Sequence, residues 1–287
     1  MDLSLHGLAI GSLEIRFYSL SILAGLLIGM LLASKEAKRL GENPDHIANI
    51  AVLGALLAIV GARLYHVFDQ NEWPYYRENP ETILYVWRGG IGIFGAFVGA
   101  VIGLVIYVRL KSLNLLRWMD IGAPAFLIGQ AVGRWGNFFN QELFGRPTDL
   151  PWGISIPVDR VMAEAPQYAG FEKFHPLFLY ESILSFLGVA FMLIAARRFA
   201  KFLRPGDIFL IYLVWYPAER FLLEFLRAEK WVQGGIPMAQ WVGISLILFS
   251  IVFFILNHRR TNLTSEVTAI ERSTLSRAAQ RRRKQRN

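Results

Sequence analysis

The chain reads as an all-α polytopic membrane protein with seven transmembrane helices and a long external loop, and three observations predict it. Of its 287 residues, 54% are hydrophobic and only 18% charged, with a mean hydropathy of +0.37. A soluble globular domain is closer to 45–50% apolar and about 25% charged. The apolar residues gather in runs close to the ~20 residues that a helix needs to cross a ~30 Å hydrocarbon layer. The connections between these runs alternate between basic and mixed or acidic composition.

Taken in order, the first span covers roughly 16–34. The segment before it, MDLSLHGLAIGSLEIR, lacks the positive n-region of a cleavable signal peptide. The apolar run leads into Lys35, Lys38 and Arg39 rather than a small-residue cleavage site, so the span is retained. The second and third spans fall at 46–67 and 90–110. Gly95, Gly99 and Gly103 recur every fourth residue on the third, as Gly25 and Gly29 do on the first, which predicts close helix packing through small faces. Gly90, Gly92 and Gly95 also spell G-x-G-x-x-G, but no strand precedes them, so a dinucleotide reading fails. The remaining spans fall at 118–136, 177–197, 207–226 and 236–257. The longest connection, 137–176, is rich in Trp, Phe, Pro and Gly. It is too long and apolar for a linker and is expected to hold a re-entrant or interfacial segment on the outer leaflet.

Charge orients the bundle. The connections after spans one, three and five contain KEAKR, RLKSLNLLR and ARRFAKFLR, with three, three and four basic residues, and residues 258–287 add nine. One side thus receives nineteen of the thirty Lys and Arg. The positive-inside rule then places the N-terminus outside and the C-terminus in the cytoplasm. Two regions result: a seven-span membrane domain, 1–257, and a basic cytoplasmic tail, 258–287, that faces anionic lipid. The tail carries a balance of +7 out of the net +8, so no folded basic surface points to nucleic acid. The chain has no cysteine. That excludes a cysteine nucleophile, thiolate metal sites and disulfides, and any thiol in the chemistry must come from a substrate.

Ionisable groups inside spans cost about 2.5–3.5 kcal/mol for Arg at a helix centre and call for an explanation. They are Arg63, His66, Asp120, Arg134, Glu142, Glu181, Arg220, Glu224 and Arg227. The densest cluster is GRWGNFFNQELFGR, 133–146. A helix continuing past Arg134 puts Asn137 and Phe138 one turn along and Gln141 two turns along. Such a segment suits phosphate and glycerol binding; it equally suits an internal polar network between helices. In ERFLLEFLR, 219–227, Arg220 and Glu224 are four apart, and Arg220 and Arg227 are two turns apart on the same face. Both arginine clusters are expected at the outer leaflet, which fits an anionic headgroup better than a proton wire. In FHPLFLYES, 174–182, His175 and Glu181 flank the start of span five.

These motifs resemble the phosphatidylglycerol–prolipoprotein diacylglyceryl transferase family. GRWGNFFNQELFGR is similar to its signature, and RFYSL (16–20), GARLYHV (61–67), WRGGIGIFGAFVGA (87–100), MDIGAP (119–124), FHPLFLYES, RPGD (204–207) and ERFLLEFLR extend the likeness in order across most of the chain. The resemblance implies that a lipobox cysteine of a prolipoprotein attacks the glyceryl carbon bonded to the phosphate of phosphatidylglycerol. A thioether forms and glycerol phosphate leaves. It further implies that Arg134 binds phosphatidylglycerol and Arg220 is the second catalytic arginine. Asn137, Asn140, Glu142, Tyr18, Arg63 and Glu224 follow as substrate-binding residues. The implied partners are phosphatidylglycerol and the precursor's signal peptide, with no metal and no cofactor.

One position departs from the pattern. Many members carry a histidine in the span-three motif, a general-base candidate, where this chain has Phe94. Either the chain is a catalytically impaired homologue that binds lipid or signal peptides, or that histidine is not the obligatory base. The otherwise complete signature favours the second, with Arg134 and Arg220 stabilising a thiolate; His66, the possible base, and Glu142 are the available bases. A transporter of an anionic solute is the rival from another class; it would show inverted repeats and midplane charges, but the sequence shows no such repeat and most of the charges sit toward one side.

Overall fold

A computed structural model describes residues 2–3, 6–10, 13–68, 72–228, 232–233, 236–237 and 240–259. The tail expected beyond the last span lies, from residue 260 on, outside the described residues. Seven helices of 18 or more residues stand among those described: α1 Phe17–Arg39, α2 Asp45–Val67, α4 Ile93–Leu110, α5 Leu115–Asn140, α7 Leu177–Arg198, α8 Asp207–Glu224 and α9 Gln240–Arg259. They coincide with the seven expected runs. Five of them, α1, α2, α4, α7 and α9, are long and apolar enough to cross a membrane. The other two, α5 and α8, carry Arg117, Asp120 and Arg134, and Asp207, Glu219, Arg220 and Glu224. The two helices that carry Arg134 and Arg220 are thus the two that miss that test. Short α3 (Trp73–Glu78) and α6 (Val158–Glu164) lie in the connections.

Contacts divide the chain into two compact units, residues 1–143 with 178–190, and 144–177 with 191–287. In the first, the expected glycine packing is present. A Cβ on Gly25 or Gly29 of α1 would come within 2.7 Å of the Gly129 or Ala125 carbonyl oxygen of α5. On α4, Gly95 and Gly99 lie directly on the backbone of Gly61 and Leu57 of α2, and a Cβ on Gly103 would stand 2.9 Å from the Gly54 Cα. Backbones this close gain dispersion contact along their length, which lipid cannot supply as well. At one end of this unit Ala33, Ala37, Ile47, Val108, Trp118 and Ile121 form a buried cluster beneath the Arg117–Glu42 (3.3 Å) and Arg39–Glu36 (2.8 Å) ion pairs. Ahead of α1 the chain forms a small antiparallel sheet, β1 (Asp2–Leu3), β2 (Gly7–Ile10) and β3 (Leu13–Arg16). Its strands are too short to stand out as a pattern in the sequence.

The second unit fills in one expectation and corrects another. The long connection is a folded body with its own core of Phe144, Ile156, Val161, Ala165 and Phe174, tied by the pairing of β4 (Ile154–Ser155) with β5 (Lys173–Phe174). Its buried aromatics fill that core, which is why the stretch looked apolar. Arg227 does not share the Arg220 face, because α8 ends at Glu224. The chain there turns extended: Arg227 bridges Gly145, and the Arg146 N–H donates to the Leu226 carbonyl at 2.7 Å. RPGD acts as a clasp. Asp207, 1% exposed, accepts from the Arg204 backbone N–H and contacts His258 Nε2, each at 2.8 Å. Arg204 Nη1 donates to the Asn257 and His258 carbonyls, capping the end of α9.

Candidate active site

The signature segment occupies the C-terminal end of α5. Helical phase puts Arg134 and Asn137 on adjacent turns. Arg134 Nε pairs with Glu181 Oε2 on α7, and the Glu181 side chain is 5% exposed. Nearby, Trp135 Nε1 donates to Ser182 Oγ at 3.2 Å, and Ser182 Oγ donates to the Ala131 carbonyl at 2.9 Å. The Trp135, Phe138 and Phe178 rings pack together around these groups. A buried carboxylate fixes one edge of a guanidinium whose other edge is directed by the planarity of the fork.

The helix closes in a strained turn. Gln141 and Leu143 both adopt positive φ, 54° and 55°, a conformation that costs a non-glycine residue roughly 1 kcal/mol or more. Hydrogen bonds hold it there: Gln141 N–H to Phe138 O (3.0 Å), Glu142 N–H to Asn137 O (3.1 Å) and Gln141 Nε2 to Phe138 O (2.9 Å). The turn carries Glu142 back so that Asn137 Nδ2 donates to its Oε1 at 2.8 Å. Asn137 is buried and Glu142 half-buried, and Asn140 is the last residue of the helix. Tyr18 lies across the same turn: a Cβ on Gly136 would come within 2.9 Å of its ring. Glycine at 136 makes the room for that ring. From the sheet, His6 Nδ1 approaches the Phe139 carbonyl at 2.7 Å. Tyr18, Arg134, Asn137, Asn140 and Glu142 therefore collect around one helix end.

Arg63 and His66 belong to a different constellation of the same unit. Arg63 is buried and spends four of its N–H donors on backbone carbonyls: Thr82 (2.6 Å), Ile83, Gly89 and Gly90 (each 2.8 Å). Its guanidinium also lies 5.0 Å from the Tyr76 ring centroid. Arg63 thus clasps the connection between α2 and α4. Gly90, at φ 71°, has no space for a Cβ beside Arg63 and His66. His66 Nε2 lies 4.0 Å from Glu72. Phe94 is exposed and packs against Tyr65 at 5.9 Å between ring centroids.

In the second unit, α8 carries Arg220 and the buried carboxylates Glu219 and Glu224. Glu224 Oε2 lies 4.0 Å from Arg227 Nη1. A buried carboxylate needs a cation within reach, and the end of α8 provides one from the extended segment. Among the described residues no group of three His, Asp or Glu is placed to hold a metal ion. The residue missed as a site member is Glu181. Its signal was a carboxylate one turn into an apolar helix, four residues after Leu177, but nothing in the spacing says which cation it meets.

The profile of the family described as prolipoprotein diacylglyceryl transferase matches residues 6–256. Several relatives bear the name phosphatidylglycerol–prolipoprotein diacylglyceryl transferase. One from Chloroflexus aggregans is 40% identical, covering 91% of this chain and 90% of the relative. One from Trichormus variabilis is 40% identical over 82% of this chain and 83% of its own length. A third, from Streptococcus suis, is 37% identical over 88% and 92%.

Proposed function

The chain belongs to the prolipoprotein diacylglyceryl transferase family, and from that premise we propose how its side chains divide the transfer of a diacylglyceryl group from phosphatidylglycerol to a prolipoprotein. The observation that carries the proposal is the Arg134 fork, held by buried Glu181 beside the Asn137–Glu142 pair.

The lipobox cysteine of the precursor supplies the thiol that this chain lacks. Its thiolate attacks the glyceryl carbon bonded to the phosphate oxygen. A C–S bond forms, the C–O bond breaks with its electron pair on oxygen, and glycerol phosphate departs; the thiol proton passes to solvent. Charge grows on the leaving phosphate, where a preorganised guanidinium stabilises it most. Arg134 gives Nε to Glu181 and offers its Nη edge to the phosphate, with Glu181 as the positioning residue. Asn137, Asn140 and Glu142 bind the glycerol headgroup, whose hydroxyls need both donors and acceptors. Tyr18 flanks the same helix end. Arg220, one turn before Glu224 on α8, takes the role of second catalytic arginine from the family likeness. Arg63 contributes by holding the α2–α4 connection in place.

The direct test combines purified protein, phosphatidylglycerol and a lipobox peptide, read by mass. A diacylglyceryl adduct is expected on the cysteine peptide and none on its serine counterpart; no adduct on either overturns the assignment. Phe94 accepts no proton, so thiolate is drawn from a thiol of pKa near 8.5 by neighbouring cations. The transfer rate of His66→Gln should follow the parent's pH profile. An ionisation near about pH 6.5 present in the parent and lost in the variant would make His66 the base instead.

The chain spans the membrane seven times, with α5 and α8 included, its N-terminus outside and its C-terminus in the cytoplasm. The support is the nineteen-of-thirty bias of Lys and Arg to one side. Because the chain is cysteine-free, single cysteines report cleanly. Glu78→Cys should react with an impermeant maleimide in intact cells, and Lys201→Cys only after permeabilisation. The opposite pattern reverses the orientation.

A further inference from the structure

The transfer chemistry makes no use of a cleft on the flank of the α2–α4 pair, in the first unit. It is shallow and open, with a volume of about 390 Å³, and is lined by Asn49, Val52, Leu53, Leu56, Tyr107 and Lys111. Asn49, Val52, Leu53 and Leu56 stand at i, i+3, i+4 and i+7, a single stripe of one helix. At 1.5 Å per residue the floor runs about 10 Å along the axis. One leaflet contributes about 15 Å of the hydrocarbon core, so the floor matches most of an acyl chain's depth in one leaflet.

We propose that this cleft binds one anionic phospholipid of the leaflet at the basic end of the helices, with its phosphate on Lys111 and an acyl chain along Val52, Leu53 and Leu56. Three observations support it. First, the polar end is rigid. Tyr107 is buried, its hydroxyl stands 2.8 Å from His46 Nδ1, and it accepts from Asn49 Nδ2 at 3.1 Å. The Asn49 amide also donates to the Asp45 carbonyl at 3.2 Å. With its hydrogens committed, Asn49 retains Oδ1 as an acceptor for a headgroup hydroxyl. Second, the charge is complementary. Lys35, Lys38, Arg39, Arg109, Lys111 and Arg117 gather at this end against Glu36, Glu42, Asp45 and Asp120. Glu36 pairs with Arg39 and Glu42 with Arg117, and among the described residues no carboxylate pairs with Lys111. Third, the floor is apolar and outward-facing: Val52 and Leu56 are 61% and 56% exposed.

A zwitterionic lipid fits the floor equally well and the rim poorly. Each basic residue near a membrane surface favours anionic lipid by about fivefold, which decides between them. The test reconstitutes the full chain in vesicles containing phosphatidylglycerol with a diazirine on its acyl chain, or the phosphatidylcholine equivalent, and maps the crosslinked peptides. Phosphatidylglycerol should label residues 49–56 at least fivefold more than phosphatidylcholine. Lys111→Glu should remove that preference while diacylglyceryl transfer persists, since Lys111 takes no part in it. Equal labelling by the two lipids, or a preference that survives Lys111→Glu, would overturn the proposal. Failure of transfer in the unmodified chain bears on the enzyme assignment alone, because the labelling is read independently of turnover.

Discussion

Arg134→Ala should abolish transfer, lowering the rate by roughly 100-fold or more, the scale of removing a preorganised stabiliser of developing charge. The same change should also destabilise the protein, and the two effects have separate causes. Glu181 is buried at 4% exposure, and losing its cation strands a carboxylate inside the protein. Breaking a buried pair from one side costs about 3–5 kcal/mol. The double variant Arg134→Ala with Glu181→Gln removes the stranded charge, so its thermal stability in detergent should recover toward the parent while transfer stays absent. Arg134→Lys keeps the charge but loses the planar fork that meets carboxylate and phosphate together, and should remain severely impaired. Transfer restored alongside stability in the double variant would show that Arg134 acts on the fold and not on the phosphate.

Gly99→Leu is expected to carry a large cost to folding. A Cβ at 99 already meets the Leu57 backbone and lies 3.1 Å from the Ala58 Cα. Those atoms are helix backbone and cannot swing aside, so α2 and α4 must separate and forfeit contacts down the whole glycine seam. Overpacking of this kind costs about 3 kcal/mol at the upper end of its usual range. The measurement is the midpoint of denaturant unfolding in detergent. Gly122→Ala on α5 is the control: nothing lies within 4 Å of its added Cβ, and alanine favours the helix by about 1 kcal/mol. It should be neutral or slightly stabilising. A Gly99→Leu variant no less stable than Gly122→Ala would mean that helix propensity, not backbone contact, sets the stability.

The same two positions mark how far the sequence reached. Gly95, Gly99 and Gly103 announced a small-faced helix by their spacing, but the identity of the partner helix did not follow from it; α2 supplies Gly54, Leu57 and Gly61 from a separate run. Arg134, Asn137 and Glu142 were legible as a polar cluster, and the family likeness gave them roles. Glu181 was visible only as a costly carboxylate. Arg63 reads like a headgroup ligand in one dimension, and its carbonyl clasp on residues 82–90 appears only when the connection folds back over α2.

Composition, run length and charge placement settle that this chain is helical and membrane-embedded, because the hydrocarbon layer imposes length and polarity on each helix separately. Which helices pair, where α8 stops, and which carboxylate holds Arg134 depend on contacts between residues far apart in the chain. Those contacts are decided by the fit of backbones at glycines and by the need of each buried charge for a partner. Neither is a property of any local stretch of sequence.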